Sequence, residues 1–79
     1  MRLVELIALL ARLGPKVTQA WPYIQQIIDA VQNILSLINA PAAAGVPDPK
    51  VVSQLMAAGA TQDEAERACT TLNAYDQAV

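Results

Sequence analysis

The sequence predicts an all-α protein of four helices arranged as two hairpins, with a long amphipathic second helix as its central element. Three observations carry this expectation. Apolar residues recur at steps of three and four from Val17 to Ile38, namely Val17, Ala20, Ile24, Ile27, Val31, Ile34 and Ile38, which is the period of a helix that buries one face. Residues that end or begin helices punctuate the chain at Gly14-Pro15, Asp48-Pro49, Gly59 and Thr61. The stretch Pro41-Ala-Ala-Ala-Gly-Val-Pro47 divides an N-terminal helical hairpin, residues 1–40, from a C-terminal one, residues 48–79. It reads as a linker or a tightly folded-over loop.

The first helix is expected over about Arg2 to Leu13. Leu3, Leu6, Ile7, Leu10 and Leu13 form one stripe, and Val4 and Leu9 widen it until Arg2, Glu5 and Arg12 are its polar remainder. A helix apolar on most sides is expected to be buried on most sides. The second helix is expected over about 16–40. Pro22 falls inside it and removes one backbone donor. Because Val17 and Ala20 keep the register of the seam beyond the proline, the favoured form is one helix kinked at Pro22. The alternative is a short turn followed by a helix starting near Trp21. A second apolar row, Trp21, Ile28 and Leu35, runs beside the seam at steps of seven.

The C-terminal half carries clearer punctuation. Asp48 reads as an N-cap with Pro49 at the first helical position. The third helix, about 49–58, is expected to bury Val51, Val52, Leu55 and Met56 and to stop at Gly59. Thr61-Gln62-Asp63-Glu64 is a capping box. The fourth helix, about 62–76, is expected to bury Ala65, Ala68, Cys69, Leu72 and Tyr75.

Composition narrows the function classes. The chain has 79 residues, of which 54% are hydrophobic and 15% charged, a charge content well below the usual quarter. There is no histidine and one cysteine, which argues against an internal disulfide, a zinc site of the usual type or imidazole chemistry. Gly14, Gly45 and Gly59 are isolated, so no phosphate-cradling loop is indicated, and the carboxylates are scattered or occupied in caps. Neither an enzyme nor a cofactor is expected. Three basic residues in the first sixteen are too few for a nucleic-acid footprint. No convincing secretory signal or membrane span appears, because Glu5 interrupts the first apolar run and Gln25, Gln26, Asp29, Gln32 and Asn33 interrupt the second. A cytoplasmic location or a place within an assembled particle is expected.

Charge is unevenly distributed. Residues 1–16 carry Arg2, Arg12 and Lys16 against Glu5, and residues 61–79 carry Asp63, Glu64, Glu66 and Asp76 against Arg67. Head-to-tail attraction between subunits would use this asymmetry, but complementing the dipole at a helix start explains the acidic cluster more simply.

Leu55, Gly59, Ala65, Ala68, Cys69 and Asn73 stand at the spacing of a helix–corner–helix pattern. In this the C-terminal pair resembles part of a ubiquitin-associated domain. The sequence departs from that family at Ala60, where the family has an aromatic residue, and a third helix has no counterpart before Val79. These are the elements that would contact ubiquitin, so the resemblance carries over no binding residue. A capped two-helix corner gives the same pattern.

The functional expectation rests on the second helix. From Val17 to Asn39 its polar positions hold Thr, Gln, Asn and Ser, with Asp29 as the one charge. Neutral amides are desolvated at a contact far more cheaply than ions. The apolar girdle is expected to exceed what a short chain can shield. The candidate interface is accordingly Val17, Ala20, Trp21, Ile24, Ile27, Ile28, Val31, Ile34, Leu35 and Ile38. The expected role is a non-enzymatic structural or protein–protein interaction module, a homo-oligomer or one subunit of a larger assembly such as a phage virion. Competing expectations are a membrane-surface-active protein driven by the first helix, and a small inhibitor or adaptor anchored through Trp21.

Overall fold

The computed structural model describes residues 2–13 and 20–79, with Leu13 described by its backbone alone. Among these described residues four helices follow in order, α1 Leu3–Leu13, α2 Trp21–Leu37, α3 Pro49–Ala57 and α4 Gln62–Ala78. All-α architecture and the four-helix count agree with the sequence reading.

The second helix begins later than expected. The Trp21 amide donates to the Ala58 carbonyl at 3.1 Å, while the amides of Tyr23 and Ile24 turn back to the Ala20 carbonyl. Ala20 is thus the N-cap, and Pro22 lies in the first turn, where a missing N–H leaves no helical bond broken. A helix starting at Trp21 replaces the kinked one. Residues 14–19, including Gly14-Pro15 and Val17, lie outside the described residues.

Both α2 and α3 end in the same way. Asn39 adopts φ 54°, its amide reaches the Ser36 carbonyl at 3.2 Å, and the Ala40 amide reaches Leu35 at 2.9 Å. Gly59 adopts φ 118°, with its amide on Met56 at 3.0 Å and that of Ala60 on Leu55 at 3.2 Å. These are paired Schellman closures, which need a left-handed residue just past the helix. The expected starts are also present. Asp48 accepts from the Lys50 amide at 2.9 Å. Thr61 and Glu64 exchange both capping-box bonds, the Glu64 amide donating to Thr61 Oγ1 at 3.2 Å and the Thr61 amide donating to Glu64 Oε1 at 3.0 Å.

α3 and α4 pair as the expected C-terminal hairpin, whereas α1 and α2 do not pair as an N-terminal one. α2 packs chiefly on α4, α3 on α4, and α1 on α3 and α4, while α1 and α2 meet only slightly. One hydrophobic core draws on all four. Its centre is the α4 face of Ala65, Ala68, Cys69 and Leu72, each at most 2% exposed. Three of these four residues are small, so bulky residues of the neighbouring helices can approach the α4 axis closely.

The segment between the halves is the folded-over loop. The Ala44 amide donates to the Thr70 carbonyl at 3.1 Å, and Ala40 and Ala44 lie against the core. Gly45 takes φ 70° beside the Asn73 side chain.

The ends of the described chain are tied together by Asp76. Its carboxylate accepts the amides of Leu3 at 2.7 Å and Val4 at 3.1 Å, capping α1 from the far end of the sequence. Arg2 approaches the same carboxylate at 3.7 Å. One element of the charge asymmetry is therefore satisfied within a single chain.

Candidate interaction surface

The expected interface residues fall into two groups. Trp21, Ile24, Ile28, Val31 and Leu35 are each at most 8% exposed and belong to the protein's own core. The expectation that a second polypeptide must cover them is overturned. These five follow each other at steps of three, four, three and four, so they, and not the row through Ile27 and Ile34, form the inward seam. The helix is turned by roughly 50° from the expected face, at 3.6 residues per turn. The physical reason lies in α4, whose small-residue face accepts this row and covers it. Ala20 is half-buried, and Val17 lies outside the described residues.

Ile27, Ile34 and Ile38 remain on the surface. With Tyr23, Ala30 and Leu37 they make an uninterrupted apolar strip along the outside of α2. Tyr23, Ile27, Ala30, Ile34 and Leu37 succeed one another at steps of four, three, four and three, so α2 carries a second heptad seam, which stays exposed along its length. Leu37 is 83% exposed and Tyr23 67%. Bordering the strip are Gln26 and Asn33, both exposed. Asp29, the only charge of α2, lies on another side of the helix and accepts from Gln25 Nε2 at 3.0 Å.

Trp21, the candidate partner anchor, and its near neighbour Tyr23 separate in the fold. Trp21 sits at the α3–α4 corner, with Gly59 packed against its Cβ. Tyr23 projects outward.

The first helix also departs from expectation. Val4, Ile7, Ala8 and Ala11 face the core, while Leu6, Leu9 and Leu10 stay between 36% and 43% exposed. In α3 the same happens to Met56, which is exposed, whereas Val52 and Leu55 are buried.

The remaining grooves offer less. Between α1 and α3 an open groove of about 350 Å³ is lined by Glu5, Arg12, Asp48 and Lys50 with Ala8, Leu9, Val51 and Gln54; its two anions and two cations are interspersed, so no charge is concentrated there. Between α2 and α4 a smaller groove is lined by Gln25, Ile28, Gln32, Glu64, Arg67 and Ala68. Glu64 is held below its ordinary carboxylate value, first by the Thr61 amide and then by the Thr61 hydroxyl, which outweigh desolvation, with smaller help from the Trp21 indole and the Arg67 charge. This is the signature of a cap. Cys69 is fully buried, and burial pushes its thiol up. Its sulfur accepts from the Asp48 amide at 3.4 Å. A thiol so placed presents no thiolate to a substrate. Among the described residues no three potential metal ligands cluster, and no helix is long and apolar enough to cross a membrane.

Asp76 is the residue sequence reasoning missed. No local pattern marks a carboxylate that caps a helix 73 positions away.

No family model, curated protein or solved structure matches the chain.

Proposed function

We propose that the protein is a non-enzymatic interaction module that docks through the outer face of α2, either onto another copy of itself or into a larger assembly. The observation that supports this is the second heptad seam. Exposed large apolar residues are ordinary when scattered, but a row along one helix is the surface that helix-mediated contacts use. Its border of neutral amides adds to the argument, since Gln26 and Asn33 cost far less to desolvate than ions and can pair with each other or with a partner backbone. A virion component is one assembly of this kind, by analogy alone.

The reading is tested by a photo-crosslinking residue at Ile34 in the cells that make the protein. Protein adducts, whether to the same chain or to another, are expected. Their absence, or adducts to lipid alone, would overturn it.

A membrane-surface role draws support from a different place, the exposed Leu6, Leu9 and Leu10 of α1 between Arg2 and Arg12. Flotation with anionic liposomes separates the two, because docking through α2 predicts that the protein stays with the soluble fraction.

A further inference from the structure

We infer that the occupant of the outer α2 face is a second copy of the chain, docked antiparallel about a two-fold axis at Ala30. This rests on the docking role proposed for α2 and goes further by naming the partner and the geometry. The strip is nearly symmetric about its middle. Tyr23 and Leu37 stand seven residues on either side of Ala30, and Ile27 and Ile34 stand three and four away. Reversing one helix against another therefore brings Tyr23 against the partner's Leu37 and Ile27 against the partner's Ile34. The two Ala30 residues meet where the axes pass closest. The smallest side chain of the strip occupies the one position that two copies must share, and large ones fill the layers on either side. This is the requirement of an isologous contact, in which each residue finds the equivalent of its own neighbour.

Charge and area agree with this occupant. The strip carries no ionised side chain, and Asp29 lies off it, tied to Gln25. Two identical faces therefore meet without like-charge repulsion, whereas a charged partner finds nothing here to pair with. Taking roughly 200 Å² for a fully exposed side chain of this size, the exposures of Tyr23, Ile27, Ile34, Leu37 and Ile38 amount to an apolar area on the order of 550 Å² per copy. Stable complexes bury about 800 Å² per partner, and Gln26, Ala30 and Asn33 supply part of the difference. The contact falls at the small end of specific interfaces, so the dimer is expected to dissociate in the micromolar range.

The chain in sedimentation equilibrium from about 10 µM to about 1 mM should show a reversible monomer–dimer equilibrium across the range expected for an interface of this size. Ile34→Glu should weaken dimerisation at least tenfold with unchanged helical circular dichroism, since Ile34 is 41% exposed in the folded chain. Ala30→Cys should form a disulfide with its own copy under mild oxidation, Cys69 being retained because it is buried. Asn33→Cys should couple much more slowly. Two such residues stand about 9 Å apart along the axis at 1.5 Å per residue, beyond the roughly 7 Å Cα separation a disulfide spans. A chain that stays monomeric at the highest concentration overturns the inference, as does a dimer indifferent to Ile34→Glu or one that couples Asn33→Cys as fast as Ala30→Cys. Should the chain be monomeric while Ile34 crosslinks to a different protein in cells, the second copy is excluded and the docking role stands. Lipid adducts alone exclude both.

Discussion

Replacing Asp76 by alanine isolates the contact that ties the two ends of the described chain together. The carboxylate has a side-chain exposure of 7% and accepts two first-turn amides of α1, at 2.7 and 3.1 Å. An N-cap is worth about 1 kcal/mol in typical helices, and hydrogen bonds to a charged group contribute about 1.5–3 kcal/mol. Arg2 adds little, because its side chain is 59% exposed and its separation from the carboxylate is 3.7 Å. Asp76→Ala is therefore expected to cost about 2 kcal/mol, which in a domain of this size lowers the melting temperature by roughly 8–16 °C. Asp76→Asn keeps one accepting oxygen and should lose about half as much, and Arg2→Ala should cost under about 0.5 kcal/mol. Urea unfolding followed by circular dichroism measures each loss, and amide exchange at Leu3 and Val4 reports the cap locally. An Asp76→Ala variant within about 0.3 kcal/mol of the parent, with those amides still protected, would refute the assignment.

Three further outcomes follow from the packing and the caps. Val31→Asp places a charge at a site 4% exposed, inside the chain's own core and not at a subunit contact, so it should destabilise the monomer by more than about 3 kcal/mol, seen as lost helicity at any concentration. Asn39→Gly should stabilise by about 0.5–1 kcal/mol, read from the urea midpoint, because φ 54° strains any side chain and glycine accepts it freely. The capping box gives a pH signature through Glu64, whose carboxyl lies below its ordinary value of 4.5 in the folded state. A carboxyl lowered by folding stabilises the protein above that ordinary value, and the contribution fades as pH falls through the folded one. Thermal unfolding of the parent should thus lose more stability on acidification below 4.5 than that of Glu64→Gln.

Much of this fold was legible locally. α3 begins and ends, and α4 begins, where Asp48, Gly59 and the Thr61 capping box indicated, because caps are decided by a few adjacent residues. Rotation about the helix axis was not legible in α1 and α2. α1 has leucines on nearly every side, so periodicity cannot choose between the stripe through Leu6 and Leu10 and the one through Val4, Ile7 and Ala11. α2 has two heptad seams, and the choice between them was made by the small residues of α4, a fact of tertiary packing. The proline at position 22 is compatible with a kink or a start, and a hydrogen bond from Trp21 to Ala58, distant in sequence, decided for the start. Of the expected interface residues, Ile27, Ile34 and Ile38 lie on the surface, while Ile24, Ile28, Val31 and Leu35 turn inward, and nothing in the spacing separated the two sets. Tyr23, Ala30 and Leu37 share one heptad position in the sequence, and only the choice of the inward seam decides that they lie on the surface.

Trp21 is the only tryptophan of the chain and sits at the head of the inward seam, 8% exposed. Its emission and acrylamide quenching, followed as the protein is diluted from about 1 mM to well below any micromolar dimer, report directly whether the seam is closed by one chain or two. The account predicts a blue-shifted, weakly quenched indole that does not change on dilution, even as the outer face of α2 is uncovered. A red shift and rising quenching on dilution would contradict it, showing that the core of the subunit is completed only by another polypeptide.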